Sequence, residues 1–144
     1  MQYKHLFGPV PSRRLGTSLG VDLVPFKTCT LDCIYCECGK TTSLTLDRQE
    51  YVSTEEVKNE LSDFLKSSPE IDYITFSGSG EPTLAVNIGE IVSFIKNNFP
   101  QYKLALLTNG TLLSDAQVRQ EISACELVVP SLDAVSQEVF QKIN

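Results

Sequence analysis

The sequence predicts an α/β fold built on a parallel β-sheet. Segments with the composition of β-strands alternate with amphipathic helical segments, and this strand–helix order occurs four times along the chain. Strands that are joined through helices lie parallel in one sheet, with right-handed crossovers. Gly-rich and polar segments follow the predicted strands directly, at the end where βα barrels carry their chemistry. We therefore expect a parallel (βα)n sheet, a partial TIM-like barrel of four βα units.

The N-terminal part divides into an irregular segment and a first strand. Residues 1–16 contain Gly8-Pro9 and Pro11-Ser12, turn-forming pairs that predict an irregular lead-in. Residues 18–24 alternate aliphatic side chains with small or polar ones, which predicts a strand. Pro25 ends this strand, and a cysteine-rich segment follows at once.

A polar loop is expected to lead to the first helix. It covers residues 39–52 and carries Lys40, Arg48 and Glu50, which we expect on a solvated face. Residues 53–56 have the Ser-x-x-Glu pattern of a capping box and predict the helix start. The apolar side chains that then recur on one helical face are Val57, Leu61, Phe64 and Leu65.

Three further strands and three further helices complete the order. The strands are predicted over residues 72–76, 103–107 and 126–129. The second helix is predicted over 87–98, the third is capped by 114–117, and the fourth begins near Ala134. The residues expected to face inward from the last two helices are Val118, Ile122, Val135, Val139, Phe140 and Ile143.

The composition is that of one ordinary globular domain. The chain has 144 residues, enough for a core, with 42% hydrophobic and 21% charged residues. Its apolar runs are too short to cross a membrane, and the N-terminus lacks the apolar region of a secretion signal. Clustered cysteines in a chain without a secretion signal indicate a reducing cytoplasm. The net charge of −6 argues against a stand-alone nucleic-acid binder, which would usually be basic.

Three of the five cysteines follow the first strand at the spacing C-x3-C-x2-C, namely Cys29, Cys33 and Cys36. A [4Fe–4S] cluster commonly takes four cysteines, so three thiolates this close would leave one iron open. Two other interpretations stay open. The spacing would also place the cysteines on one face of a helix, as buried core residues. Alternatively, Cys38 could complete a four-cysteine zinc site.

The cysteine motif, with the aromatic residue Tyr35 before its third cysteine, resembles that of the radical S-adenosylmethionine (radical SAM) enzymes. Residues 8–16 and 78–83 are similar to a branch of Fe–S oxidoreductases related to the wybutosine-synthesis proteins, which act on transfer RNA. The resemblance implies a [4Fe–4S] cluster whose open iron binds the amino and carboxylate groups of S-adenosylmethionine. One electron would cleave a C–S bond, giving methionine and a 5′-deoxyadenosyl radical that abstracts hydrogen from the substrate.

The resemblance also implies roles for single residues. The three motif cysteines become the cluster ligands, and Tyr35 lies near the adenine, although it could equally pack under the loop. Ser79, Gly80 and Glu81 match the family's GGE motif, which accepts hydrogen bonds from the amino group of the cofactor. Ser stands in place of the first Gly. Without the cysteines, this segment would be interpreted as a Gly-rich turn between a strand and a helix.

Four more residues match positions where the family often contacts the ribose or carboxylate of the cofactor. They are Thr108, Asn109, Ser131 and Asp133. Asn109 also lies in an ordinary Asn-Gly turn, and Ser131 and Asp133 are good helix N-caps. Arg13-Arg14 could hold an anionic ligand or form a solvated pair. No role is assigned to His5, Cys38 or Cys125.

The family's barrel usually has about six βα units, so residues 1–144 are expected to be the N-terminal part of a radical SAM core domain without its C-terminal remainder. The fourth strand would have an unpaired edge through which copies could self-associate. We expect an electron donor such as flavodoxin or ferredoxin, and a tRNA, peptide or small metabolite as substrate. The alternatives are an iron–sulfur electron carrier or sensor that leaves S-adenosylmethionine intact and, further removed, a zinc-binding module.

Overall fold

A computed structural model describes residues 2–144 and contains two sheets. The strands are β1 (Leu6–Ser12), β2 (Gly16–Val21), β3 (Thr28–Cys29), β4 (Ser43–Leu44), β5 (Tyr73–Phe76), β6 (Lys103–Thr108) and β7 (Leu127–Pro130). The main sheet has the order β1-β2-β5-β6-β7, and β3 pairs with β4 separately. Strands β2, β5, β6 and β7 run parallel. The predicted α/β fold, a partial barrel of parallel βα units, is confirmed.

The N-terminal residues differ from the predicted irregular lead-in. Within this segment Leu6–Ser12 form β1, which pairs antiparallel with β2 at one edge of the sheet. Pro9 and Pro11 are tolerated there because an edge strand can lack backbone donors on its outer side. The first parallel strand covers Gly16–Val21 instead of 18–24, because the hairpin that joins it to β1 sets its start.

Four helices connect and flank the strands. They are α1 (Thr54–Leu65), α2 (Ile88–Asn98), α3 (Ala116–Glu121) and α4 (Gln137–Ile143), and a 3₁₀ turn covers Pro82–Leu84. The predicted caps of α1 and α3 are present: Ser53 accepts from the N–H of Glu56 (3.3 Å) and Asp115 from the N–H of Gln117 (2.8 Å). Over residues 2–144, no helix has the length and apolarity to cross a membrane.

One face of the main sheet is buried beneath α1 and α2. Leu19, Val21, Ile74, Phe76, Leu104 and Leu106 are all fully buried on this face. They pack against the apolar sides of the helices, which include Val57, Leu61, Leu65, Ile88, Ile91 and Ile95. The predicted apolar faces of these two helices therefore form the core, as their periodicity requires.

The opposite face, here called the open face, carries smaller and more polar side chains. Because side chains alternate along a strand, it consists of Ser18, Gly20, Thr75, Ala105, Leu107 and Val129. Ser18 and Thr75 share a hydrogen bond of 2.6 Å, and Leu107 is 36% exposed. No helix of residues 2–144 packs on this face as α1 and α2 do on the other.

The fourth helix differs most from its prediction. It begins at Gln137 and not near Ala134, and Ser136 is its N-cap. None of its residues is buried, and Val135, predicted to face inward, is 95% exposed. Within residues 2–144, β7 pairs only with β6, so no further strand supplies a layer against which this apolar face could pack.

The loop before α1 also differs from its prediction, because Arg48 is not solvated. Its guanidinium pairs with the Glu121 carboxylate, and the two side chains are only 14% and 12% exposed. Arg48 also donates to the backbone carbonyls of Thr83 (2.7 Å) and Ala85 (3.2 Å). These carbonyls belong to the 3₁₀ turn and its cap, where helical partners are missing. Arg48 thereby joins the loop to α3.

Candidate functional site

The three clustered cysteines lie at the end of β3 and on the loop that joins β3 to β4. Cys29 ends β3, and neither Cys33 nor Cys36 lies in a helix. All three are partly exposed. The interpretation that they are core residues on one helical face is therefore wrong, because the loop turns them toward a surface.

Hydrogen bonds within the loop hold its shape. Thr41 donates its N–H to the Asp32 carboxylate (2.7 Å) and its hydroxyl to the carbonyl of Leu31 (2.6 Å). The N–H of Cys36 donates to the carbonyl of Cys33 at 3.2 Å, which closes a turn. These contacts order a loop that has almost no regular secondary structure, so the positions of its thiols are defined by the fold.

A cleft of about 200 Å³ opens beside the cysteines, at the carboxyl ends of the parallel strands. We call it the cysteine cleft. Its lining comes from the cysteine loop and from the segments after β5, β6 and β7: Cys29, Cys33, Tyr35, Cys36, Gly80, Glu81, Leu107, Thr108, Asn109 and Ser131. The fold thus brings nearly all of the predicted site residues to one place. Ser79 and Asp133 lie next to the cleft and not in its lining.

The cysteines do not converge on a single ion. Among residues 2–144, no three His, Cys, Asp or Glu side chains are grouped closely enough to hold one metal ion. Ligands at separate corners of a cubane bind different irons and lie farther apart than ligands of one zinc ion. Three partly exposed thiols around one cleft are ligands of the kind that iron–sulfur clusters take.

A lysine that the sequence reasoning missed contacts the third cysteine. Lys27 is only 2% exposed, and its ammonium group donates to the Cys36 sulfur at 3.1 Å. This hydrogen bond lowers the pKa of the Cys36 thiol, whereas burial raises the pKa of the Cys29 thiol. A lone lysine before a cysteine motif has no spacing pattern, so the sequence offers no signal for it.

Asn109, in the turn after β6, connects the sheet to the cysteine loop. Its side-chain amide donates to the Cys29 sulfur at 3.6 Å and to the Thr30 hydroxyl at 2.8 Å. Its carbonyl oxygen accepts from the N–H of Thr111 at 3.0 Å. The amide orientation is thereby set, and it presents a donor to a sulfur atom. Such donors tune the potential of iron–sulfur clusters.

Glu81 forms the floor of the cysteine cleft and is 2% exposed. Its carboxylate accepts hydrogen bonds from the N–H and hydroxyl of Thr83, at 3.2 and 2.6 Å. It also accepts from the Thr108 hydroxyl and from the N–H of Asn109 (2.8 Å). A carboxylate with four donors is well stabilised when buried. Glu81 therefore joins the segments that follow β5 and β6.

Gly80 allows the segment after β5 to pack on β3. A Cβ at this position would overlap the carbonyl oxygen of Thr28, which is backbone and cannot move aside. The preceding Ser79, which replaces a glycine of the GGE pattern, is accommodated because its hydroxyl and N–H donate to Asp22, at 3.4 and 3.3 Å. Burial raises the pKa of the Asp22 carboxyl, although these hydrogen bonds oppose the effect.

Tyr35 and Asp133 contact each other at the rim of the cleft. The Tyr35 hydroxyl donates to the Asp133 carboxylate at 2.5 Å, and this hydrogen bond raises the pKa of the tyrosine. The side-chain amide of Asn144 donates to the same carboxylate (3.2 Å) and to the Cys33 sulfur (2.9 Å). Neither Ser131 nor Asp133 caps α4, so their expected alternative role as N-caps is wrong.

Fold and site together define a partial βα barrel whose strand ends support a cleft lined by three cysteines. The chain belongs to the radical SAM superfamily, because the model of that family matches residues 23–144. The resemblance deduced from the cysteine motif is thereby confirmed for the superfamily. The similarity to the wybutosine-synthesis branch stays a prediction.

Relatives and a solved structure agree with this assignment. A UPF0026 protein of Synechocystis sp. is 44% identical over 140 residues, which are 96% of this chain and 52% of that protein. A protein of Brachyspira hyodysenteriae named GTPase Obg is 40% identical over 144 residues, 100% of this chain and 21% of that protein. The chain thus spans about half, or less, of the length of these relatives.

The structural similarity concerns the fold. The crystal structure of BtrN in complex with AdoMet and 2-DOIA superimposes with a TM-score of 0.61 and 18% sequence identity. The match covers 86% of this chain and 49% of that one. At this identity the similarity supports the partial barrel and leaves the substrate undefined.

Proposed function

We propose that this chain is the core of a radical SAM enzyme. Cys29, Cys33 and Cys36 would hold a [4Fe–4S] cluster, with S-adenosylmethionine beside it in the cysteine cleft. When bound, this pair supplies one-electron chemistry that cleaves a C–S bond of the cofactor and yields a 5′-deoxyadenosyl radical. The observation that carries the proposal is the convergence of the three thiols with Gly80 and Glu81 in one cleft at the strand ends.

The protein's own residues bind and orient in this proposal. Lys27 offsets the negative charge of the thiolates, and Asn109 donates to one sulfur. Glu81 fixes the cleft floor and offers negative charge near the ammonium group of the cofactor. Tyr35 offers a ring at the rim on which an adenine could stack. Asn109, Ser131 and Asp133 would hold the ribose or carboxylate of the cofactor.

The test is anaerobic reconstitution with iron and sulfide, followed by reduction and addition of S-adenosylmethionine. Bound iron, bound sulfide and released 5′-deoxyadenosine are quantified. We expect about four irons per chain and 5′-deoxyadenosine that forms only in the reconstituted sample. Cys33→Ala should lose both, whereas the matched Cys125→Ala should keep both, because Cys125 lies outside the cysteine cleft.

The other outcomes separate the alternatives. A cluster without cofactor cleavage would indicate an electron carrier or sensor, and would contradict the enzyme. Tight zinc binding without iron uptake would favour the zinc module, and Cys38→Ala would then weaken zinc binding. The glycine–glutamate segment favours the enzyme, because a simple electron carrier has no use for a cofactor cleft beside its cluster.

Partners follow from the proposed chemistry. Reduction of the cluster requires an electron donor such as flavodoxin or ferredoxin, and the substrate is a tRNA, a peptide or a small metabolite. In residues 2–144 the outer edge of β7 has no partner strand, so two chains could pair through it. Light scattering tests this association: a monomer mass that is independent of concentration would contradict it.

A further inference from the structure

A second cleft lies on the open face of the sheet. It has a volume of about 220 Å³, and we call it the arginine cleft. The hairpin between β1 and β2 and the later strands line it together: Ser12, Arg13, Arg14, Leu15, Leu107 and Val129. Apolar residues therefore form one part of this cleft, and two adjacent arginines form another.

Both guanidinium groups are free of protein partners. Arg13 and Arg14 are exposed, and within residues 2–144 neither makes a side-chain hydrogen bond or an ion pair. The other two arginines of the chain are engaged, Arg48 by a carboxylate and Arg119 by two backbone carbonyls. Asp72, the carboxylate beside the hairpin, accepts the N–H of Thr17 at 2.7 Å. The arginine cleft thus carries two positive charges that no side chain of residues 2–144 pairs, in a chain of net charge −6.

The two clefts adjoin on the same face. Leu107 lines both the arginine cleft and the cysteine cleft. On β7, Val129 lines the first, and Ser131, just beyond the strand, lines the second. A molecule held in the arginine cleft would therefore extend past Leu107 toward the place where the proposed radical forms.

We propose that Arg13 and Arg14 bind the phosphate group of a phosphorylated small-molecule substrate; this inference rests on the proposed function. Guanidinium groups recognise phosphate through paired, charge-assisted hydrogen bonds. The volume of about 220 Å³ is below the range of about 300–1,000 Å³ for pockets that enclose a whole ligand, so the cleft takes one end of the substrate. The net charge of −6 disfavours a nucleic acid, which carries many phosphates.

Calorimetric titration with inorganic pyrophosphate at low salt tests the proposal. The chain is used without reconstitution, so the result is independent of whether 5′-deoxyadenosine forms. Arg13→Gln and Arg14→Gln should each weaken binding by roughly tenfold or more, since each removes charge-assisted hydrogen bonds. Arg119→Gln removes the same charge outside the cleft and should leave the affinity unchanged. Arg13→Lys and Arg14→Lys should each retain part of the affinity for pyrophosphate.

Each remaining outcome is decisive. Equal affinity of the parent chain and of a double variant, R13Q and R14Q, would overturn the proposal, and so would an absence of pyrophosphate binding. Acetate that binds as tightly as pyrophosphate would overturn the assignment to phosphate. Because both arginines are exposed, the variants should keep the parent melting curve, and circular dichroism checks this. Failure of the proposed function would appear separately, as absence of cofactor cleavage.

Discussion

Leu106 and Leu107 are neighbours on β6, yet they belong to two different environments. Leu106 is fully buried beneath the helices, and Leu107 is 36% exposed on the open face, where it lines both clefts. The same alternation divides every parallel strand of the main sheet. Side chains on the helix-covered face stabilise the fold, whereas Leu107 and Val129 on the open face line space that a ligand can fill.

The two faces also differ in what holds them together. The helix-covered face is a continuous apolar core that includes Phe76 and Ile91. The open face and the strand ends above it are held by hydrogen bonds, such as those of Glu81 with Thr108 and Asn109. Apolar packing tolerates exchange between similar side chains, but a hydrogen-bonded site depends on single groups. Substitutions on the open face and at the strand ends should therefore affect function more strongly. Substitutions on the helix-covered face should affect stability more strongly.

The sharpest test of this difference is a pair of substitutions on β6. Leu106→Ala should lower the free energy of unfolding by about 2–5 kcal/mol, because it leaves a cavity in the core. Leu107→Ala should lower it by less than about 1 kcal/mol, because that side chain is already partly exposed. Chemical denaturation measures both. Similar losses for the two variants would mean that the open face is as closely packed as the core.

Lys27 contacts a cysteine of the cysteine cleft, although it is buried like a core residue. Lys27→Met removes a positive charge beside Cys36 and should lower the midpoint potential of a reconstituted cluster. The expected shift is on the order of 100 mV, which corresponds to a Coulomb energy of about 2–3 kcal/mol at an effective dielectric constant of about 20. A redox titration followed by EPR measures it. Lys40→Met, at an exposed position of the cysteine loop, should change the potential little.

Gly80 affects both stability and function, because it sets how closely β3 and the cysteine loop approach the sheet. Gly80→Ala should cost about 1–3 kcal/mol through overlap with the Thr28 carbonyl, and it should also reduce iron uptake. The neighbouring Ser79→Ala loses one long hydrogen bond to Asp22 and should cost less than about 1 kcal/mol. Unchanged iron content in Gly80→Ala would show that the loop position does not depend on this contact.

The smallest effect concerns pH. Burial raises the pKa of Asp22, so the folded chain retains this proton over a pH range where the unfolded chain has lost it. The contribution of Asp22 to the free energy of unfolding should therefore fall as the pH rises from about 4, the unperturbed value, through the raised pKa. Asp22→Asn should remove this fall, so its stability relative to the parent chain increases with pH. Glu138→Gln, at an exposed site, controls for the lost charge.

Much of the fold could be predicted because α1 and α2 are long and strongly periodic. Their apolar faces, with Leu61 and Ile91, lie in the core as expected. The apolar pattern near α4 has the same period, but periodicity cannot show whether a neighbouring layer exists to cover it. Likewise the prolines of β1 indicate turns locally, and only the sheet order reveals that they lie on an edge strand.

The candidate site divides in the same way. Cys29, Gly80 and Asn109 follow strands that run parallel, so the sequence predicts a common edge, and the structure places them in one cleft. The burial of Lys27 and Arg48 could not be predicted, because the burial of a charged side chain depends on partners that only the folded chain brings together. Their positions follow from tertiary contacts, which short motifs do not encode.

The most direct test of the central claim is the EPR spectrum of the reduced, reconstituted chain before and after addition of S-adenosylmethionine. If Cys29, Cys33 and Cys36 leave one iron open in the cysteine cleft, the cofactor should bind that iron and change the spectrum. Cys125→Ala should show the same change. An unchanged spectrum of a cluster held by these three cysteines would contradict the open iron, and with it the proposed radical chemistry.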